Sequence, residues 1–396
     1  MEINLSNRIL FFCFLLIATM ARRGVGLRFD NKSGEFKIVQ VADMHYANGQ
    51  STGCLNVPLD QQATCSDLNT TDFLYRIIRA ENPDLVVFTG DNIYGNDTTD
   101  PVKSMNMAFD PVVALKLPWA AVLGNHDQES YLSREDVMRH ITTMPYTLSR
   151  LNPDGSEIDG YGNYNIEISG PEGSPLVNKS VLNLYFLDSG DYSTVESIHG
   201  YGWIKLSQQV WFQKTSSQLQ KVYKSAPHEQ KESAPGLVYF HIPLPEYASF
   251  NISNFIGVKQ EGISSASINS GFFTTMVEAG DVKAVFTGHD HLNDFCTTLT
   301  GIQLCYAGGF GYHAYGKAGW PRRTSVVSAF LEKTADGQWG GVKSIKTWKR
   351  LDDQYLSTID SQVLWSKGPT GSEIHHHQHQ HRIEGMQGYI KEELSL

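Results

Sequence analysis

The sequence predicts an α/β fold, and three features of its patterning point there. Apolar, β-branched runs recur, each ending in polar residues: FKIVQVADMH, DLVVFTGDN, WAAVLGNHD, NLYFLDSGD, GLVYFHIPL and VKAVFTGHDH. Short continuous runs of this kind are strands buried on both faces. Segments with helical spacing lie between them, as in TTDFLYRIIRAENP, where Phe73, Leu74, Ile77 and Ile78 share a face ahead of Pro83. Later runs, SVVSAFLE and CTTLTGIQLC, are shorter, carry turn signals and predict an antiparallel portion of sheet. In such sheets ligands collect beyond the strand ends, so function is to be sought in the polar residues that close each run.

The chain has 396 residues, enough to bury a large core, and a net charge of −10. That balance offers no counterion-releasing surface, so no nucleic-acid partner is expected. Residues 1–23 contain Arg8, the apolar run ILFFCFLLIATM and then Ala21, Arg22 and Arg23. The run is too short to span a bilayer and has the proportions of a cleaved secretory signal, an uncleaved anchor being the alternative. No stable membrane insertion is expected elsewhere. Acceptor sequons at Asn31, Asn69, Asn96, Asn178 and Asn251 fit export, to the cell exterior and wall or to the vacuole.

Export makes the cysteines readable: Cys13 leaves with the signal, and Cys54, Cys65, Cys296 and Cys305 remain, an even number suited to an oxidising compartment. In CTTLTGIQLC the turn falls at Thr300-Gly301, and Cys296 and Cys305 are equidistant from it. Opposed residues on paired strands are close enough for a disulfide. Cys54 and Cys65 then pair by elimination and staple a loop.

The stretch YGWIKLSQQVWF reads as a packed amphipathic helix with Trp203, Leu206, Val210 and Trp211 on its apolar face. In AGGFGYHAYGKAGWPRR the glycines would let backbone approach a ligand, and His313, Lys317, Arg322 and Arg323 could contact phosphate. An ordinary glycine-rich loop with surface cations accounts for that stretch equally well. The main domain is expected over residues 35–350. Residues 365–396, with the tract HHHQHQH, read as a low-complexity mobile tail in preference to a metal-binding tract.

Five strands end in residues able to bind metal: Asp43 and His45, Asp91, Asn125 with His126 and Asp127, His241, and His289 with His291. Buried without partners, such groups cost several kcal/mol each, so a shared metal site is the economical explanation. Residues at i and i+2 of an extended chain point the same way, so Asp43 and His45, and likewise His289 and His291, can converge. Asp91 is the natural bridging carboxylate between two ions. Nitrogen and oxygen donors without cysteine favour zinc, iron or manganese. Two divalent ions against Asp43 and Asp91 leave a net positive site, suited to an anionic substrate.

The ordered set ADMH, TGDNIY, LGNHD, FHIPLPE and TGHDH, spanning residues 43 to 291, resembles the signature of the calcineurin-like metallophosphoesterase superfamily. Within it the chain resembles the plant purple acid phosphatase-like branch, near the yeast Dcr2-type phosphatases. The resemblance implies two packed mixed β-sheets flanked by helices, a four-layer sandwich with the site at the sheet edge. It implies that Asp43, His45, Asp91 and His291 hold one ion and Asp91, Asn125, His241 and His289 the other, iron with zinc or manganese. His126 would face the substrate, steadying phosphoryl oxygens or protonating the leaving group, and Asp127 would orient its ring. Purple acid phosphatases carry D-x-G and G-D-x-x-Y, with the tyrosine on ferric iron; here Tyr94 is present but His45 replaces the glycine. His45 is therefore expected to bind and Tyr94 to stand beside it.

The function implied is hydrolysis of a small phosphate monoester by a metal-held hydroxide, in-line attack being eased by charge and positioning. Two alternatives remain: a phosphodiesterase on the same metals, and a weakly active or inactive member of the fold serving as an interaction module. The oligomeric state is left open.

Overall fold

The computed structural model describes residues 26–249 and 255–368. The expected signal over residues 1–23, the sequon at Asn251 and the tail from residue 369 onward lie outside the described residues. The first half of the chain alternates strand and helix: β1 (Glu35–Val41), α1 (Asp67–Glu81), β2 (Leu85–Thr89), α2 (Pro101–Ala108), α3 (Asp110–Ala114), β3 (Trp119–Val122) and α4 (Arg134–Thr143). The second half contains β4 (Tyr164–Ser169), β5 (Ser180–Phe186), α5 (Leu206–Lys224), β6 (Gly236–Tyr239), β7 (Phe255–Ile256), α6 (Phe272–Ala279) and β8 (Val282–Thr287). It closes with β9 (Cys296–Leu299), β10 (Ile302–Tyr306), β11 (Arg323–Lys333), β12 (Trp339–Leu351) and β13 (Thr358–Ser366).

Among the described residues these strands form two mixed sheets, ordered β13-β12-β11-β1-β2-β3 and β4-β5-β6-β8-β10-β9-β7. The runs read as doubly buried strands are the parallel centres, β1, β2 and β3 in one sheet and β5, β6 and β8 in the other, while β10, read as half of an antiparallel hairpin, pairs antiparallel with β9 and parallel with β8. Alternation along them explains their continuous apolar character. Leu184, Leu237 and Ala284 belong to the core shared with the first sheet, while Tyr185, Val238 and Val285 face a second core with Phe212 of α5 and Phe272 and Met276 of α6. Rings stack along the inner face in the order Tyr164, Phe186, Tyr239 and Phe286, with centroids 4.7, 5.3 and 5.2 Å apart.

Helix α1 shows how the sequence sets its limits. Ser66 and Asn69 form a capping box at its start, and Asn82, at φ 45°, turns the chain left-handed just before Pro83. The antiparallel strands β11, β12 and β13 carry the first sheet beyond the expected domain end at residue 350, and Trp365 and Ser366, assigned to the tail, lie in β13. Both disulfides form as expected, Cys54 to Cys65 and Cys296 to Cys305, the latter pair facing each other in the β9–β10 register.

Helix α5 departs from expectation. Leu206 and Val210 are exposed, whereas Gln208, Gln209, Phe212, Ser216 and Tyr223 are buried. Trp203 precedes the helix, under Lys205 at 3.6 Å. The buried face is polar because its amides have partners: Gln208 Nε2 donates to the Asn163 side chain at 2.7 Å and to the Asp188 carbonyl at 2.6 Å.

Candidate metal centre

The site forms where β1, β2 and β3 of one sheet and β6 and β8 of the other release their chains toward one another. Asp43, His45, Asp91 and His289 sit at φ 57°, 47°, 49° and 80°, left-handed values that side chains rarely adopt. The extended i, i+2 geometry expected for Asp43 with His45 and for His289 with His291 is therefore not what brings them together. Tight turns do, held by backbone bonds that leave the sheet: Asp43 N to Gly90 O, His45 N to Asp91 O and Gly311 N to Asp43 O.

Two groups of donors result, both buried. Asp43, His45, Asp91 and His291 offer ligand atoms within 4.8 Å of one another, and so do Asp91, His241 and His289. Asp91 is common to both. His45 Nε2 lies 3.4 Å from Asp91 Oδ2, His241 Nε2 lies 3.1 Å from the same oxygen, and His291 Nε2 lies 3.5 Å from Asp43 Oδ1. Asn125 joins the second group, its Oδ1 being 3.2 Å from His241 Nε2, and His289 Nδ1 stands 3.3 Å from that same nitrogen.

The donor chemistry fits a pair of cations. His241 Nδ1 meets the Thr89 carbonyl at 2.8 Å and His291 Nδ1 the Tyr315 carbonyl at 2.9 Å, which places protons there and aims each Nε2 inward. His45 Nε2, His289 Nε2 and Asn125 Nδ2 are buried without a hydrogen-bond partner. Burial pushes His45 down to about 4 and His289 to about 3, keeping both neutral and ready to donate a lone pair. Burial also opposes charge on His241, yet the Asp91 carboxylate outweighs it and lifts the ring to about 9. Asp91 itself is held well below the usual carboxylate range, burial being overcome by His241 and His45. This point in the molecule calls for positive charge.

Backbone closeness is part of the construction. A Cβ on Gly124 would stand 2.1 Å from Asp91 Oδ1, so only glycine lets β3 pass the shared carboxylate. His126 N donates to Asp91 Oδ1 at 2.8 Å, and its half-buried ring opens on a cleft of about 380 Å³ floored by His45, Asp91, His289 and His291. The ring's partner is Glu129, at 2.5 Å from Nδ1, and not the expected Asp127. The Asp127 carboxylate is turned inward, accepting from the backbone of Asn92, Ile93 and Gly124, because those three buried donors have no sheet partner. Sequence reasoning missed Glu129. The only signal was an acid three residues beyond His126, too common to single out.

Tyr94 stacks on His45 with ring centroids 5.3 Å apart, and Tyr315 and Tyr201, also missed, cover His291 and His289 at 3.8 and 4.4 Å. Of the cations expected at the phosphate, His313 does line the cleft, held between the Gly53 carbonyl and Asp97. Arg322 does not. Its buried guanidinium donates to the carbonyls of Leu55, Ala314 and Tyr315, which hold it within the protein away from the cleft lining. Lys317 binds Gln260, and Arg323 pairs with Asp294. The glycines of that loop serve close packing within the chain: a Cβ on Gly311 would meet the Met44 carbonyl.

The calcineurin-like phosphoesterase family profile matches residues 36–293, well over half of the chain. The chain belongs to that family. It is 62% identical over 352 residues to the probable inactive purple acid phosphatase 29 of Arabidopsis thaliana, covering 88% of this chain and 90% of the relative. It is 34% identical over 351 residues to the phosphatase DCR2 of Saccharomyces cerevisiae, covering 85% of this chain and 57% of that protein. A solved structure of a dimetal phosphatase from Danio rerio superposes with a TM-score of 0.51 at 15% identity, covering 84% of this chain and 99% of the other, a likeness of fold. Family membership and the likeness of fold thus agree with the two mixed sheets of this chain.

Proposed function

We propose that this phosphoesterase hydrolyses small phosphate monoesters with two metal ions, one held by Asp43, His45, Asp91 and His291 and the other by Asp91, Asn125, His241 and His289. The observation that carries the reading is the complete donor set: buried, tautomerically preset and centred on the shared Asp91. Its nitrogen and oxygen donors suit iron with zinc or manganese. When bound, such ions supply Lewis acidity and a water acidic enough to ionise near neutral pH. The chain's own part is to hold the phosphoryl group. His126 N–H stays on Asp91, while the ring, oriented by Glu129, reaches a phosphoryl or leaving-group oxygen and can yield a proton there.

A second reading has a specific basis, since relatives at 62 and 55% identity are named probable inactive purple acid phosphatases. Against the weakly active or inactive alternative stands the absence of any broken donor position among the seven. Export is proposed from the two disulfides and the exposed sequon asparagines 31, 69, 96 and 178. No helix among the described residues is long and apolar enough to cross a membrane. Elemental analysis of the purified protein, with assays on a phosphomonoester and a phosphodiester, tests the proposal. Two equivalents of metal and faster monoester turnover are expected. Metal without turnover would favour the inactive reading, and a faster diester would favour a phosphodiesterase.

A further inference from the structure

Apart from the donors on its floor, the cleft is walled by neutral rings and by acids. Tyr94, Tyr201 and Tyr315 line it, each covering a histidine of the floor. Asp97 and Asp290 line it too, and Glu129 and Glu261 stand directly behind His126 and Tyr315, at 2.5 and 3.0 Å. No lysine or arginine is among the lining residues. Lys317 is turned to Gln260, Arg322 to three carbonyls, and Arg134 to Asp188 and the Gly124 carbonyl, so none of the three is on the cleft wall. The two basic rings outside the floor are each held by an acid, His313 by Asp97 at 2.8 Å and His126 by Glu129 at 2.5 Å.

A second negative group on a substrate would therefore leave the metal floor and meet carboxylates, with no guanidinium or ammonium to replace lost hydration. Resting on the phosphomonoesterase reading above, we infer that the cleft selects single phosphate groups on uncharged or cationic alcohols and rejects polyanions. Asp97, more than half exposed at the cleft wall, is the residue that sets this preference. Its reach is that of a surface charge, so the preference weakens as salt rises.

The test uses metal-loaded protein and esters sharing a primary alkyl leaving group: phosphocholine, glycerol 1-phosphate and 3-phosphoglycerate. kcat/KM is expected to fall about tenfold from glycerol 1-phosphate to 3-phosphoglycerate, with phosphocholine at least as good as the neutral ester. Asp97→Lys is expected to close that gap, and 0.5 M salt to narrow it. Calorimetric binding of propylphosphonate and 3-phosphonopropionate, which cannot be hydrolysed, reads the same preference without turnover. Tighter binding of propylphosphonate with no ester hydrolysed would keep this inference and remove the phosphatase reading. Equal turnover of all three esters would overturn the inference and keep that reading. Equal or tighter binding of 3-phosphonopropionate, or binding of neither, would also overturn it.

Discussion

Asp91 meets His45 and His241 with one oxygen and the His126 backbone with the other, so a single carboxylate organises both donor groups and the chain at His126. Asp91→Asn is expected to lower occupancy of both metals and abolish activity, because a neutral amide bridges two ions poorly. His126→Ala should leave metal content nearly intact while turnover falls by roughly two to four orders of magnitude. Glu129→Ala should keep the metals and slow turnover about tenfold, with Glu129→Gln, which still accepts from the ring, close to wild type. Elemental analysis beside kinetics separates these three, and metal loss in His126→Ala would show that its ring is a ligand. Tyr94 poses a question of colour. Its ring lies flat against His45, which suits a packing role and not a bond to iron. The iron-loaded protein should lack an intense visible band, and a band that disappears in Tyr94→Phe would show the phenolate on the metal.

The first helix gives a prediction at the scale of an element. Asp67 opens α1, is fully buried, and accepts from the backbone of Ala47 and Gly49 at 2.9 and 3.0 Å, tying the helix to the turn beyond His45. Burial pushes this carboxyl from 3.8 up to about 6. A raised acid contributes stability that is fully present below its unfolded value, near 3.8, and is lost as pH rises through about 6. The loss is on the order of 3 kcal/mol. Thermal unfolding between pH 4 and 7 should show this slope in the wild type and a flatter one in Asp67→Asn. An unchanged slope would mean that Asp67 is ionised without penalty.

The two sheets are joined at the site end by Arg134. From α4 it donates to Asp188 after β5 at 2.5 Å, to the Gly190 carbonyl, and to the carbonyls of Leu123 and Gly124 after β3. Removing one member of a buried pair strands the other, so Arg134→Met is expected to cost about 3 to 5 kcal/mol in denaturant unfolding. Burial alone would raise the Asp188 carboxyl, but Arg134 outweighs it and holds it below the usual range. A depressed acid stabilises above its unfolded value and loses that contribution as pH falls through the folded one. The gap between wild type and Arg134→Met should therefore narrow as pH falls, beginning above 3.8, where the buried and unpaired Asp188 of the variant takes up its proton. A gap that stays constant with pH would mean that the arginine acts through its carbonyl contacts alone.

By itself the sequence determined the parallel strands at the two sheet centres, the β9–β10 hairpin, the two disulfides and the His and Asp residues that the structure gathers around Asp91. Each rests on local information: doubly apolar runs such as DLVVFTGDN, a hairpin centred on Thr300-Gly301, and motifs a few residues long. It also carried the α/β class, because periodicity reports which faces are buried. The tertiary structure decided what depends on groups distant in the chain. Asp127 serves backbone donors and Glu129 takes the His126 ring because three unpaired N–H groups of Asn92, Ile93 and Gly124 converge on Asp127. Arg322 is structural because Leu55, over 260 positions away, presents it with a carbonyl. The polar buried face of α5 follows from Asn163 and Asp188, which no helical period could announce. Hydrophobic pattern is written along the chain. The partner of a buried polar group is written only in space, since its desolvation cost is settled by whichever atom the fold brings within about 3 Å.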